Sequence, residues 1–167
     1  KWVTQQLILP DHFETKIIDF FNNSTYDILI YPINIILTNG EHSNLLIIDK
    51  KKKEIYRFEP HGSIYLSNFN YNPDSFDNLL KKKIKNIMPD LTYITPNQFL
   101  PVIGFQSLDV NELDTNHNIG DPNGFCLLWC IWFSYYKTMY LDLDIKKLTK
   151  KLIKSIRMKN ITYRNLI

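Results

Sequence analysis

Between residues 27 and 59, three apolar, isoleucine-rich runs follow one another closely: "DILIYPINIIL" over 27–37, "SNLLIID" over 43–49 and "EIYRFE" over 54–59. The turn signal "TNGE" separates the first two, and four lysines, Lys50 to Lys53, separate the second from the third. Short β-branched runs joined by such tight polar turns predict antiparallel strands. Pro32 lies inside the first run and has no N–H to give to a central ladder, so that run is expected at an edge or at an irregularity. Whatever else this chain forms must therefore pack on a small antiparallel sheet.

The flanking sequence supplies the helices. Residues 11–23 predict a short amphipathic helix behind an Asp11 cap, and 74–88 predict a second, stopped by Pro89. "LTYIT" and "LPVIGF" read as further strands, and the polar, weakly periodic stretch 107–119 as a surface loop. After the turn "GDPNG" comes "FCLLWCIWFSYYKTMYL", whose dense apolar character predicts a buried central helix. Residues 144–158 predict a last amphipathic helix. No repeat or linker interrupts the chain, so residues 1–167 read as a single α+β domain.

Composition narrows the function classes. A chain of 167 residues, 44% hydrophobic and 22% charged, fits a soluble globular domain with a core. No apolar run approaches the roughly 20 residues that span a bilayer, so no membrane partner is expected. No signal peptide is evident, and the opening Lys1-Trp2 without a methionine reads as a trimmed chain. The net charge of +3 comes mainly from lysine clusters beside periodic apolar residues, which read as solvated faces rather than a nucleic-acid surface. Alanine is absent while Ile, Lys and Asn abound, a bias that suits an AT-rich genome such as that of a virus or protist.

Cys126 and Cys130 lie four apart with no second pair, which makes a poor zinc site. A disulfide within one helix at that spacing has unfavourable geometry. Two free thiols suit a reducing compartment, here the cytoplasm. Cys126 directly follows the turn and so enters the first turn of its helix. Unpaired backbone N–H groups and the positive helix end there favour thiolate over thiol. Cys130, one turn deeper, is expected to be buried and inert. A nucleophilic thiol works best beside an imidazole, which needs an acceptor to hold its tautomer. His42 opens one strand, and Glu59 closes its neighbour seventeen positions later, so an antiparallel hairpin brings the two ends side by side. His12, His61 and His117 are rival histidines, and His61 is the alternative base because it shares the turn with Glu59.

The segment "YPINIILTNGEHSNLLIIDKKKKEIYRFEPHGS", together with "DPNGFC", resembles the ubiquitin-like-protein protease family, which includes SUMO proteases and the adenovirus maturation protease. Pro32-Ile33-Asn34, His42, Ile47-Ile48-Asp49, the lysine turn and Glu59 match that family's order and spacing over about 27–62, with a second similar stretch over about 100–140. The resemblance implies a papain-like α+β fold with a mostly antiparallel sheet, flanking helices and a central Cys-bearing helix. It assigns Cys126 as nucleophile, His42 as base and Glu59 as orienting acid, with no metal or cofactor. Asp121 stands roughly where the family has its oxyanion glutamine, and an ionised carboxylate cannot donate a hydrogen bond. Gln106, after "LPVIGF", is therefore the expected oxyanion donor, with 107–119 as an insertion. Ser43 replaces the tryptophan that usually follows the histidine; Trp2 could cover the channel instead, while Trp129 and Trp132 are expected in the core.

The implied activity is that of a cysteine peptidase or isopeptidase, a deubiquitinase-like monomer cleaving after the C-terminal Gly-Gly of ubiquitin or a ubiquitin-like modifier. The alternatives are a viral maturation protease cutting structural precursors, in host cytoplasm or virion, acetyl transfer through the same cysteine, or a catalytically weak modifier-binding module.

Overall fold

A computed structural model describes residues 6–37, 40–63, 71–106 and 125–159. The three apolar runs form strands β1 (Ile28–Leu37), β2 (Gly40–Asp49) and β3 (Glu54–Phe58), and "LTYIT" supplies β4 (Thr92–Ile94). The strand order is β1-β2-β3-β4. The first two junctions are antiparallel, with Pro32 opposite Leu45 and Leu45 opposite Phe58; β3 and β4 run parallel, with Ile55 opposite Tyr93. Pro32 thus sits on an edge strand, where its missing N–H costs no central ladder bond.

Among the described residues, four α-helices cover the sheet: α1 (Phe13–Asn23), α2 (Pro73–Ile87), α3 (Cys126–Met139) and α4 (Ile145–Lys159). Paired residues share a face, so Leu46, Ile48 and Ile55 point one way and Leu45, Ile47, Tyr56 and Phe58 the other. The first set packs with Phe13 and Ile17 of α1 and Phe76, Leu80 and Ile84 of α2. The second packs with Trp129 and Phe133 of α3 and Leu148 and Leu152 of α4. Because β2 is covered on both faces, its core reads as a continuous run, Leu45-Leu46-Ile47-Ile48, rather than an alternation. Burying those four side chains contributes on the order of 6–12 kcal/mol, an upper estimate.

Local chemistry explains most element ends. Asn72 Oδ1 accepts from Ser75 N at 2.9 Å, and Pro73 then opens α2 where its missing N–H is unneeded. At α1, Asp11 does not cap: His12 occupies the cap position with no side-chain bond, and the helix instead starts with Phe13 N donating to Pro10 O. Two further expectations need correction. "LPVIGF" is not a strand, because Pro101 and Gly104 interrupt it and its backbone bonds to the turn after β3 instead of to the sheet. Ser63 N donates to Pro101 O, Gly104 N to His61 O and Gln106 N to Pro60 O, at 2.9, 2.8 and 3.0 Å. Nor is Lys50 merely solvated: its Nζ donates to Ser24 O at 2.8 Å and Phe20 O at 3.2 Å, closing the end of α1.

Candidate nucleophilic thiol site

The β2–β3 register places position 59 across from position 44, two residues from His42 on the same face. The diagonal is close enough for contact: His42 Nε2 and Glu59 Oε1 are 2.6 Å apart, and both residues are buried. Glu59 Oε1 also accepts from His61 N at 3.1 Å. Its Oε2 accepts from Asn44 Nδ2 at 3.0 Å and Tyr71 OH at 2.9 Å. Arg57 Nη1 lies 3.5 Å from the same oxygen. A carboxylate with this many donors is held ionised. Burial pushes Glu59 up, but the His42 charge and hydrogen bond, then Arg57, bring it down to about 2.

Burial pulls His42 down. The Glu59 charge and hydrogen bonds to Cys126 and Glu59 more than reverse this, raising it to about 9. His61 lies 5.2 Å away, ring to ring, but burial holds it down at about 4, so it stays neutral near pH 7. The rival base of the turn is therefore not the charged one.

Helix α3 brings in the thiols. Ser43 N donates to Cys126 Sγ at 3.3 Å, and Cys130 Sγ donates to Ser43 O at 3.5 Å. Strand β3 ends at Phe58, opposite Leu45, so the first turns of α3 take over the edge of β2 at Ser43. Burial raises the Cys126 thiol. Hydrogen bonds from His42 and from Ser43 N–H, with the His42 charge, outweigh it and leave the thiol below its ordinary value. Cys130 has no such help: burial, then the Glu59 and Cys126 charges, push it well above. The structure thus brings together Cys126, His42 and Glu59, and shifts the two thiols in opposite directions.

Gln106 is buried, and its Oε1 has no hydrogen-bond partner among the described residues. Its position is fixed by neighbours. Phe105 packs on Trp129, Trp132 and Phe133 of α3 with centroids 5.6–5.9 Å apart. Gly104 lies so close to Gly62 that an added Cβ would meet Gly62 N at 2.1 Å. Trp129 is fully buried, in the core. Asp121, the turn 121–124, the loop 107–119, His117 and Trp2 lie outside the described residues.

Sequence reasoning missed the groups behind Glu59. Arg57 pairs with Asp77 of α2, and Asn44 bridges Arg57 and Glu59. The signal was present: Asp77 stands on the apolar stripe of α2 with Leu80 and Ile84, and Arg57 sits in an apolar strand. A charge on a buried face demands a partner. Among the described residues no His, Cys, Asp and Glu group could hold a metal, and no helix is long and apolar enough to cross a membrane.

Neither a family model nor a solved structure matches the chain. All of it aligns, at 46% identity over 174 residues, with the Acanthamoeba polyphaga mimivirus protein named "Putative ankyrin repeat protein L371". The chain spans 23% of that protein's length. Ankyrin repeats are units of about 33 residues, a β-turn with two helices; the described elements instead build a four-stranded sheet with two helices on each face.

These comparisons overturn the family expectation. No peptidase family matches, and the named relative is an ankyrin repeat protein rather than a protease. The assignments as ubiquitin-like-protein protease, deubiquitinase or viral maturation protease, and as a cysteine peptidase at all, are withdrawn, as is the ubiquitin substrate. The physical reason lies in the hairpin. Any β2–β3 stem of this register sets position 42 diagonal to position 59, so the spacing belongs to hairpin geometry and does not single out a peptidase.

Proposed function

We propose that this chain is a protein-interaction module that carries a nucleophilic thiol, Cys126, activated by His42 and oriented through Glu59. The interaction part draws on the name of the mimivirus relative. The thiol part draws on one observation: a buried 2.6 Å His42–Glu59 pair whose imidazole hydrogen-bonds a thiol at the start of a helix. In that arrangement the proton moves from Cys126 to His42, and Glu59 and the α3 N-terminus hold the two resulting charges. The thiolate can then displace a leaving group from an alkylating carbon: with iodoacetamide the Cys126 S–C bond forms as the C–I bond breaks and iodide departs.

A second reading has its own support. Ser43 N–H and C=O both bond to α3 thiols, so Cys126 and Cys130 could serve only to close the edge of β2. Alkylation by iodoacetamide, read by intact mass, separates the two. A nucleophilic site predicts that Cys126 alkylates at pH 7 at least tenfold faster than glutathione and that Cys130→Ala keeps this rate. Alkylation of Cys126 no faster than glutathione would leave edge closure as its role.

A further inference from the structure

Arg57 and Asp77 stand one layer behind Glu59. Arg57 Nε donates to Asp77 Oδ1 at 2.6 Å and Nη2 to Asp77 Oδ2 at 2.9 Å, a two-point ion pair. Tyr93 OH donates to Asp77 Oδ1 at 2.7 Å. Arg57 Nη1 donates to Asn44 Oδ1 at 2.5 Å, and Asn44 Nδ2 passes the contact on to Glu59 Oε2. All four residues of this relay, Arg57, Asp77, Asn44 and Glu59, are buried. The guanidinium is engaged by Asp77, and it touches Glu59 only at 3.5 Å.

We propose that Asp77 is a positioning residue for the thiol site: by holding the Arg57 guanidinium in a two-point pair, it leaves Glu59 to take its counter-charge from His42. The proton on His42, and with it the Cys126 thiolate, then depends on a carboxylate of α2. This rests on reading Cys126, His42 and Glu59 as a thiol site.

The charge balance supports it. Arg57 brings one positive charge, Asp77 and Glu59 two negative ones, and the missing positive charge is imidazolium. The other titratable groups facing the site do not supply it. His61 of the turn is neutral near pH 7, and Tyr71 before α2 and Tyr93 of β4 are pushed above their ordinary values, first by burial. From α3, the Cys126 thiol is held below its ordinary value beside the helix end, while burial pushes Cys130 well above its own, so neither thiol supplies a positive charge. Removing the Asp77 charge would leave Arg57 unmatched beside Glu59. An uncompensated guanidinium 3.5 Å from Glu59 Oε2 would compete with imidazolium for the Glu59 charge and so lower the His42 midpoint.

The test is the His42 titration, followed by its imidazole C–H resonances in the full chain, with Cys126 alkylation measured alongside. Asp77→Asn should lower the midpoint by about one pH unit or more. Arg57→Gln, which leaves Asp77 uncompensated, should raise it. The double variant Arg57→Gln/Asp77→Asn removes both charges and should return it to within a few tenths of wild type. A merely structural role predicts that all three move the same way, and that result overturns the proposal. If a single variant does not fold, Asp77→Glu and the double variant carry the test: both must keep the wild-type midpoint, and a shift of a full unit in either overturns it. A wild-type His42 that titrates at or below its ordinary value, with slow Cys126 alkylation, instead overturns the thiol site itself.

Discussion

Glu59→Gln separates charge from hydrogen bonding at the site. The amide can still accept from His42, but it cannot neutralise an imidazolium. In the wild type His42 stands at about 9 against an ordinary value of 6.5, a preference for the charged ring worth about 3 kcal/mol. Without the Glu59 charge the burial term remains alone, and the midpoint should fall below the ordinary value. Its amide N–H would also face two donors, Asn44 Nδ2 and Tyr71 OH, which now converge on Oε2. At pH 7 the ring is then neutral and Cys126 loses its cation. A thiol of ordinary pKa, about 8.5, is roughly 3% thiolate at pH 7, so alkylation should slow toward the rate of an ordinary thiol. The assay is iodoacetamide alkylation from about pH 5 to about pH 9 with intact-mass readout, after circular dichroism confirms folding. The sign on stability also follows. The raised His42 stabilises the fold fully below about pH 6.5, and this is lost as pH rises through about 9. That alkaline loss should vanish in Glu59→Gln. A folded variant alkylating as fast as wild type at pH 7 would show that the Glu59 charge does not sustain the thiolate.

Three other outcomes are expected. Lys137 is buried in α3, with Nζ bonded to Asp49 Oδ2 at 3.3 Å and Leu141 O at 3.0 Å. Lys137→Met should cost about 3 kcal/mol in urea unfolding because Asp49 loses its buried partner, and a cost under about 1 kcal/mol would show that Lys52, whose Nζ lies 3.6 Å from Asp49 Oδ2, suffices. Gly104→Ala would drive a Cβ into Gly62 N and His61 C, at 2.1 and 2.4 Å, so its melting temperature should drop by many degrees, and an unchanged one would contradict the close approach. His61 is neutral when folded at about 4 against 6.5 unfolded, so stability should fall as pH drops from about 6.5 through about 4. His61→Gln should flatten that decline, and an identical decline in the variant would show that His61 does not cause it.

Much of the fold follows from short-range signals. Ile-rich runs with tight turns fix the β1–β2–β3 block, and Pro32 correctly marks its edge. Asn72-Pro73 opens α2 by capping chemistry that depends on neighbours in sequence. The false strand "LPVIGF" shows the limit: its apolar pattern fits a strand, but its backbone partners lie in the turn after Glu59, some 40 residues away. The juxtaposition of His42, Glu59 and Cys126 was legible because hairpin register and helix position are local facts. Asp77 was not, since its meaning depends on Arg57 approaching from another element. The family assignment failed for a related reason. Motif order along one hairpin carries the geometry of the hairpin, and not the reaction.

The central claim is that Cys126 is a thiolate paired with a His42 imidazolium near neutral pH. Ultraviolet thiolate absorbance, taken as the difference between wild type and Cys126→Ala from about pH 5 to about pH 10, tests it most directly. Thiolate absorbance from Cys126 should set in below the ordinary thiol value of about 8.5. An onset at or above about 8.5 would contradict it.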